Sequence, residues 1–152
     1  MHKAEFITAT PQAAWHVINN MRVADRRECE ALGFTAEEAV TEGWSRSTQA
    51  HMVAVNDQPA IVFGVTPACV LGQEGIPWLL ATDDMAKVSR QFARQSRGCL
   101  EQMLSSYKVL YNMTSVDNEL SIRWLEWLGF QFGAPVPVGF LGQLFVPFWI
   151  RR

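Results

Sequence analysis

The stretch Asn118-Glu-Leu-Ser-Ile-Arg-Trp-Leu-Glu-Trp-Leu-Gly-Phe130 decides how this chain is read. Ile122, Leu125, Trp127 and Leu128 recur at the spacing of a helix. Gly129 stands where that helix must stop, because glycine enters the left-handed position past the last turn at little steric cost. Phe130 and Phe132 then alternate as in a strand. The segment is a polar start, an aromatic-rich helix and an abrupt entry into a sheet.

Upstream of it, Val109–Met113 reads as a strand. Before that, Met85, Val88, Phe92, Cys99, Met103 and Tyr107 recur at three- and four-residue intervals and predict one amphipathic helix over roughly 84–106. Pro77–Thr82 reads as a buried strand, preceded by a loop over Pro67–Gly75. His51–Val55 and Ala60–Thr66 form a predicted hairpin across Asn56-Asp-Gln-Pro59. Thr35-Ala-Glu-Glu38 has capping-box form and opens a helical stretch to about Trp44. A shorter helix, about Ala24–Leu32, ends at Gly33. Thr10-Pro11 is a helix start with Trp15, Val17, Ile18 and Met21 on its apolar side, and residues 3–9 form a first strand. Two last strands are predicted at about 130–137 and 143–151.

The expected fold is α+β. The elements follow one another in the order β-α-α-β-β-β-α-β-α-β-β, with 1–152 as a single domain. Pro147 inside the last strand implies a bulge or a shift to an edge, because proline donates no ladder hydrogen bond. Phe145, Phe148 and Trp149 cannot all face one side of that strand. Aromatic surface is therefore expected for self-association into a homo-oligomer or for a partner.

A length of 152 residues, 49% hydrophobic and 18% charged, suits one soluble domain with a substantial core. A formal net charge of −2 gives no basic field for nucleic acid. The longest apolar runs, Ile76–Ala81 and Leu144–Ile150, are strand-sized and too short for a membrane span, and the first residues lack a signal-peptide core, so secretion is not expected. Cys29, Cys69 and Cys99 are odd in number and widely spaced, which reads as free thiols in a reducing compartment with no metal site.

The 118–130 segment resembles the fourth helix and following strand of the GNAT (GCN5-related N-acetyltransferase) superfamily, and the predicted element order is similar to that fold, which implies a GNAT-like, mixed and mostly antiparallel central sheet of about seven strands flanked by helices. The resemblance implies acetyl-CoA as a cofactor, with the pantetheine along the fourth strand (Leu80, Ala81, Thr82) and near the Asn at the head of the fourth helix (Asn118). Asn118 reads equally as a plain N-cap. The superfamily's glycine turn for the pyrophosphate is replaced here by Asp83-Asp84-Met85-Ala86, whose carboxylates suit a helix start but repel a diphosphate. Lys87 and Arg90 are the cations nearest that point. With Arg94 and Arg97 they form one basic stripe, which reads as a solvated face or as a site for an anionic partner. Gln95-Ser-Arg-Gly98 resembles the missing turn but falls inside the long helical period. Leu125 occupies the position of the superfamily's proton-donating Tyr. Tyr111 and Tyr107 are the substitutes on offer, and Glu74, Asp83 and Asp84 are the candidate general bases. His16 and His51 read as packed or half-exposed side chains.

Trp78-Leu-Leu-Ala-Thr82, Met103-Leu-Ser-Ser-Tyr107, Leu110-Tyr-Asn-Met113 and Ser121-Ile-Arg-Trp-Leu125 carry a narrower resemblance, to the small internal virion proteins of T7-like podoviruses. It covers roughly residues 76–132. It implies a phage- or prophage-encoded protein acting through a virion or host protein partner, in a bacterial cytoplasm or an assembling particle, with acyl-CoA chemistry lost or weak. The alternative is an active acetyl-CoA-dependent N-acetyltransferase that modifies an amine on a host protein or small molecule.

Overall fold

The computed structural model describes residues 1–152. In chain order the elements are β1 (Ala4–Ile7), α1 (Pro11–Asn19), α2 (Val23–Ala31), α3 (Ala36–Arg46), β2 (Gln49–Val55), β3 (Gln58–Pro67) and β4 (Glu74–Ala81). A 3-10 helix (Asp83–Val88), α4 (Ser89–Ser106), β5 (Val109–Ser115), α5 (Glu119–Leu128), β6 (Gln131–Phe132), β7 (Val136–Val138) and β8 (Gln143–Arg151) follow. The strands form one sheet in the order β1-β2-β3-β4-β5-β8-β6, with β7 also paired to β8. Every pairing is antiparallel except β4 with β5.

Local chemistry explains most boundaries. Thr10 Oγ1 caps α1 by accepting from Ala13 N. Thr35 and Glu38 form the reciprocal capping box of α3. Asn118 Oδ1 caps α5 by accepting from Ser121 N, and Gly129 closes it at φ 98. Asn56 and Asp57 both take positive φ and turn β2 into β3 over two residues. That hairpin is tighter than the four-residue connection expected, because β3 begins at Gln58 rather than Ala60, while β2 ends at Val55 as expected and gains Gln49 and Ala50 at its start.

Three expectations are corrected. The long helix is not uniform, because its first turns are 3-10 and the α-helix starts at Ser89. Met85 and Val88 lie three residues apart and are both buried, a spacing that suits a three-residue turn as well as a 3.6-residue one. The strand expected over 130–137 is split into β6 and β7 around Gly133-Ala134-Pro135. That split also accommodates Pro147, which sits without a bulge between β5 and the edge. The Pro147 carbonyl accepts from Gly133 N on the edge side, so its nitrogen, facing the same way, points at the gap where no partner acceptor is required. Finally, three helices precede β2, the third being the stretch over Thr35–Trp44.

The sheet is covered on both faces. Phe63, Phe92, Leu110, Leu125 and Phe148 belong to the larger core, under α4 and α5. Val17, Ile18, Cys29, Val40, Met52 and Val62 make the smaller one, under α1, α2 and α3. Phe92 stacks on Trp124 with centroids 5.6 Å apart, which joins α4 to α5. No helix is long and apolar enough to cross a membrane.

Candidate functional site in the wedge between β4 and β5

β4 and β5 pair only at Glu74–Val109 and Gly75–Leu110, then diverge. Tyr107 lies against Gly75, whose added Cβ would come within 2.9 Å of the ring. Beyond that narrow end both strands run on without a ladder between them, and a cavity of about 380 Å³ opens through the sheet. Its walls include Leu79, Leu80 and Trp78 from β4, Met113 and Thr114 from β5, and Leu100, Trp124 and Leu125 from the helices above. Glu28, Glu42 and Arg46 reach it from α2 and α3.

Diverging strands expose backbone groups that must be satisfied. In β5 the Met113 N–H goes to Asn112 Oδ1 (2.8 Å), while Asn112 Nδ2 donates across the gap to the Pro77 carbonyl (2.8 Å). At the wide end α2 does the work. Asp25 Oδ2 accepts from Ala81 N (2.9 Å) on β4, and Glu28 Oε1 accepts from Ser115 N and Thr114 Oγ1 (both 2.6 Å) on β5. Asn118 Nδ2 donates to both carboxylates at 3.1 Å, and Arg22 bridges Asp25 Oδ1 and Asn118 Oδ1 at 3.0 Å each. Two carboxylates, one guanidinium and one amide thus clasp the two strands where the ladder fails. Leu79, two residues from Pro77 and from Ala81, turns its own N–H and C=O to the same open edge by the two-residue period of a strand.

Burial pushes the Asp25 and Glu28 carboxyls above their usual range, outweighing the hydrogen bonds that favour their charged forms. The two carboxylates differ in one respect. Both oxygens of Asp25 are hydrogen-bonded. Glu28 receives all three of its donors on Oε1 and none on Oε2. Cys29, beside it, is raised to about 12, first by burial and then by the two carboxylates.

The residues picked from sequence are dispersed around this cleft. Leu80 lines the cavity. Ala81 and Asn118 belong to the clasp, and Asn118 is only 1% exposed. Thr82 is buried and accepts from Asp84 N. Asp84 pairs with Lys87 at 2.8 Å, while Asp83 and Arg90 are exposed beside them. Glu74 lies at the narrow end and Tyr111 on the exposed side of β5. None of Glu74, Asp83, Asp84 or Tyr111 lines the cavity. Tyr107 is tied to Thr48 at 2.8 Å, and Leu125 is buried at 2%. Gly98 is an open, exposed position within α4, so Gln95-Ser-Arg-Gly98 is not a turn. Arg97 stacks on Trp127 at 4.5 Å and is thereby withdrawn from the basic stripe. Arg22, Asp25 and Glu28 escaped the sequence reading because charged residues at three-residue spacing on a short helix look like a solvated face.

Order, pairing and wedge define the GNAT fold, and solved structures agree. The chain is similar over its full length to a Bacillus subtilis acetyltransferase in complex with CoA (TM-score 0.68, 11% identity, 99% of that chain). It is also similar to an acetyltransferase of the GNAT family from Streptococcus pneumoniae (TM-score 0.64, 11% identity, 99% of this chain and 100% of that one). A third is the Escherichia coli ribosomal-protein-S18-alanine N-acetyltransferase (TM-score 0.59, 17% identity, 99% of this chain and 94% of that one). No protein-family model matches the chain, and no curated protein sequence is similar to it.

Proposed function

We propose that the chain is an N-acyltransferase that takes an acyl-CoA in the β4–β5 wedge and acts on an amine. The observation that carries this reading is the cavity itself, an opening through the sheet with apolar walls and an unpaired strand edge at Leu79. Such an opening fits a pantetheine arm, whose amides match the Leu79 backbone groups and whose acyl end suits Leu100, Trp124 and Leu125. When bound, the thioester supplies an acyl carbon activated toward an amine. The usual diphosphate position does not fit, because Asp83 and Asp84 occupy the first turn of the 3-10 helix. Among the cofactor residues proposed from sequence, Lys87 and Arg90 are the cations nearest that end, and Lys87 is already paired to Asp84. Isothermal titration with acetyl-CoA and with CoA tests the reading. Saturable micromolar binding is expected, and silence at millimolar ligand overturns it.

A second reading is favoured by the clasp. Asp25, Glu28 and Asn112 already take the wedge-facing N–H groups of Ala81, Ser115 and Met113, and Leu125 offers no proton. A GNAT scaffold so occupied suits a phage- or prophage-encoded interaction protein whose acyl chemistry is lost. Its binding surface would be the exposed Phe140 and Leu141 tip or the free Arg90 and Arg94. Calorimetric silence toward CoA, with co-purification in phage particles, would establish it.

A further inference from the structure

We infer that Glu28 is a proton acceptor for a primary amine held in the wedge cavity, with the amine nitrogen at Oε2 and its apolar stem along the cavity wall. The inference rests on the acyltransferase reading for its purpose but not for its test.

Glu28 is the acidic side chain that is both fixed by the clasp and open to the cavity. Three donors converge on Oε1 from Thr114, Ser115 and Asn118, so the carboxyl plane is set by β5 and α5 rather than by its own rotamers. Oε2 carries no hydrogen bond, and the residue lines the cavity. A carboxylate oxygen in that position is an acceptor without a donor, and an ammonium supplies one. Asp25, its neighbour in the clasp, is excluded because both its oxygens are used. The other charged groups facing the cavity are Glu42 and Arg46 on α3, and neither is held by the clasp.

The proton step is simple in its balance. The ammonium N–H bond breaks, the proton passes to Oε2, and the amine keeps the electron pair. Glu28 becomes a neutral carboxyl, and the proton later leaves to solvent. Burial of Glu28 raises its affinity for that proton toward the range a general base needs. Apolar walls from Leu32, Phe34 and Trp78 fit the stem of the amine and not a second charge. Two sources share this chemistry, a small aliphatic amine and the side chain of a lysine.

The test uses n-hexylamine and Nα-acetyl-lysine methylamide as separate probes, titrated into the full chain without acetyl-CoA and followed by amide and carboxyl NMR. Binding of either probe should shift the Thr114 and Ser115 amides and the Glu28 carboxyl carbon, and the probe that binds names the source. Glu28→Gln keeps an acceptor for the three donors and should fold. It should weaken binding about ten- to a hundredfold, the scale of a charge-assisted hydrogen bond. Glu37→Gln, at an exposed position of α3 outside the cavity, should change binding little. Equal affinity in wild type and Glu28→Gln, or no binding of either probe to wild type, overturns the inference. If Glu28→Gln does not fold, the wild-type Glu28 carboxyl shift decides alone. Failure of acetyl-CoA to bind would sink the acyltransferase reading and leave the amine result standing.

Discussion

Asn118 shows how one residue can be legible in kind and illegible in role. Its place at the head of a helix reads directly from the sequence, and it does cap α5. Its larger task, donating to Asp25 and Glu28 while accepting from Arg22, depends on partners 90 to 96 residues away, which no local pattern reports. Asn118→Ala should strand three buried charged groups and cost about 2–4 kcal/mol in urea unfolding, with Asn118→Asp no better because it adds a third carboxylate. The thiols give a cleaner contrast. Cys69 is exposed, whereas Cys29 and Cys99 are buried with raised pKa values. A disulfide-exchange reagent at neutral pH should therefore modify one thiol rapidly and the other two only with unfolding. Rapid modification of all three would contradict the packing. His51, between the rings of Phe6 and Phe63, is held below its ordinary 6.5 by burial. Its neutral form is the native one, so its contribution is complete above pH 6.5 and is lost as pH falls through the lowered value. Thermal melts should show an acid limb starting near pH 6.5, and His51→Phe should flatten it.

Elements were legible where a cap or a period was unambiguous. α1, α3, α5 and the β2–β3 hairpin all carry their signals in the chain. The 3-10 start before α4 was not, because a three-residue recurrence serves both helix types. The β6–β7 split was not, because Gly133-Ala134-Pro135 interrupts a run whose apolar residues still alternate. The wedge was not legible in the residues, since nothing in the composition of β4 or β5 distinguishes two strands that pair from two that part. Gly64 tests how closely β2 and β3 approach. A Cβ there would lie 2.5 Å from the Gln49 carbonyl oxygen. Gly64→Ala should therefore destabilise by about 2–3 kcal/mol, the cost of forcing backbone apart. Gly98→Ala, which meets nothing, should stabilise by about 1 kcal/mol. Urea midpoints moving in the same direction would refute this account of the two positions.

At the scale of the whole molecule, the sheet is two half-sheets, β1–β4 and β5–β8, joined by a two-residue ladder at one end and the α2 clasp at the other. Replacing Asp25 and Glu28 together with Ala should speed hydrogen exchange at Ala81 and Ser115 while leaving β2 and β3 protected. Uniform loss of protection would mean the halves unfold as one unit. The broken edge beside Pro147 bears on what happens between molecules. A sheet edge is a template for another chain, and long flat edges seed aggregation. Here one edge strand is the four-residue β1, and the other offers two and three residues on either side of a glycine–proline gap. An incoming strand finds no run long enough to zip onto, so the proline that looked like a defect in an inner strand marks the place where the sheet refuses to grow.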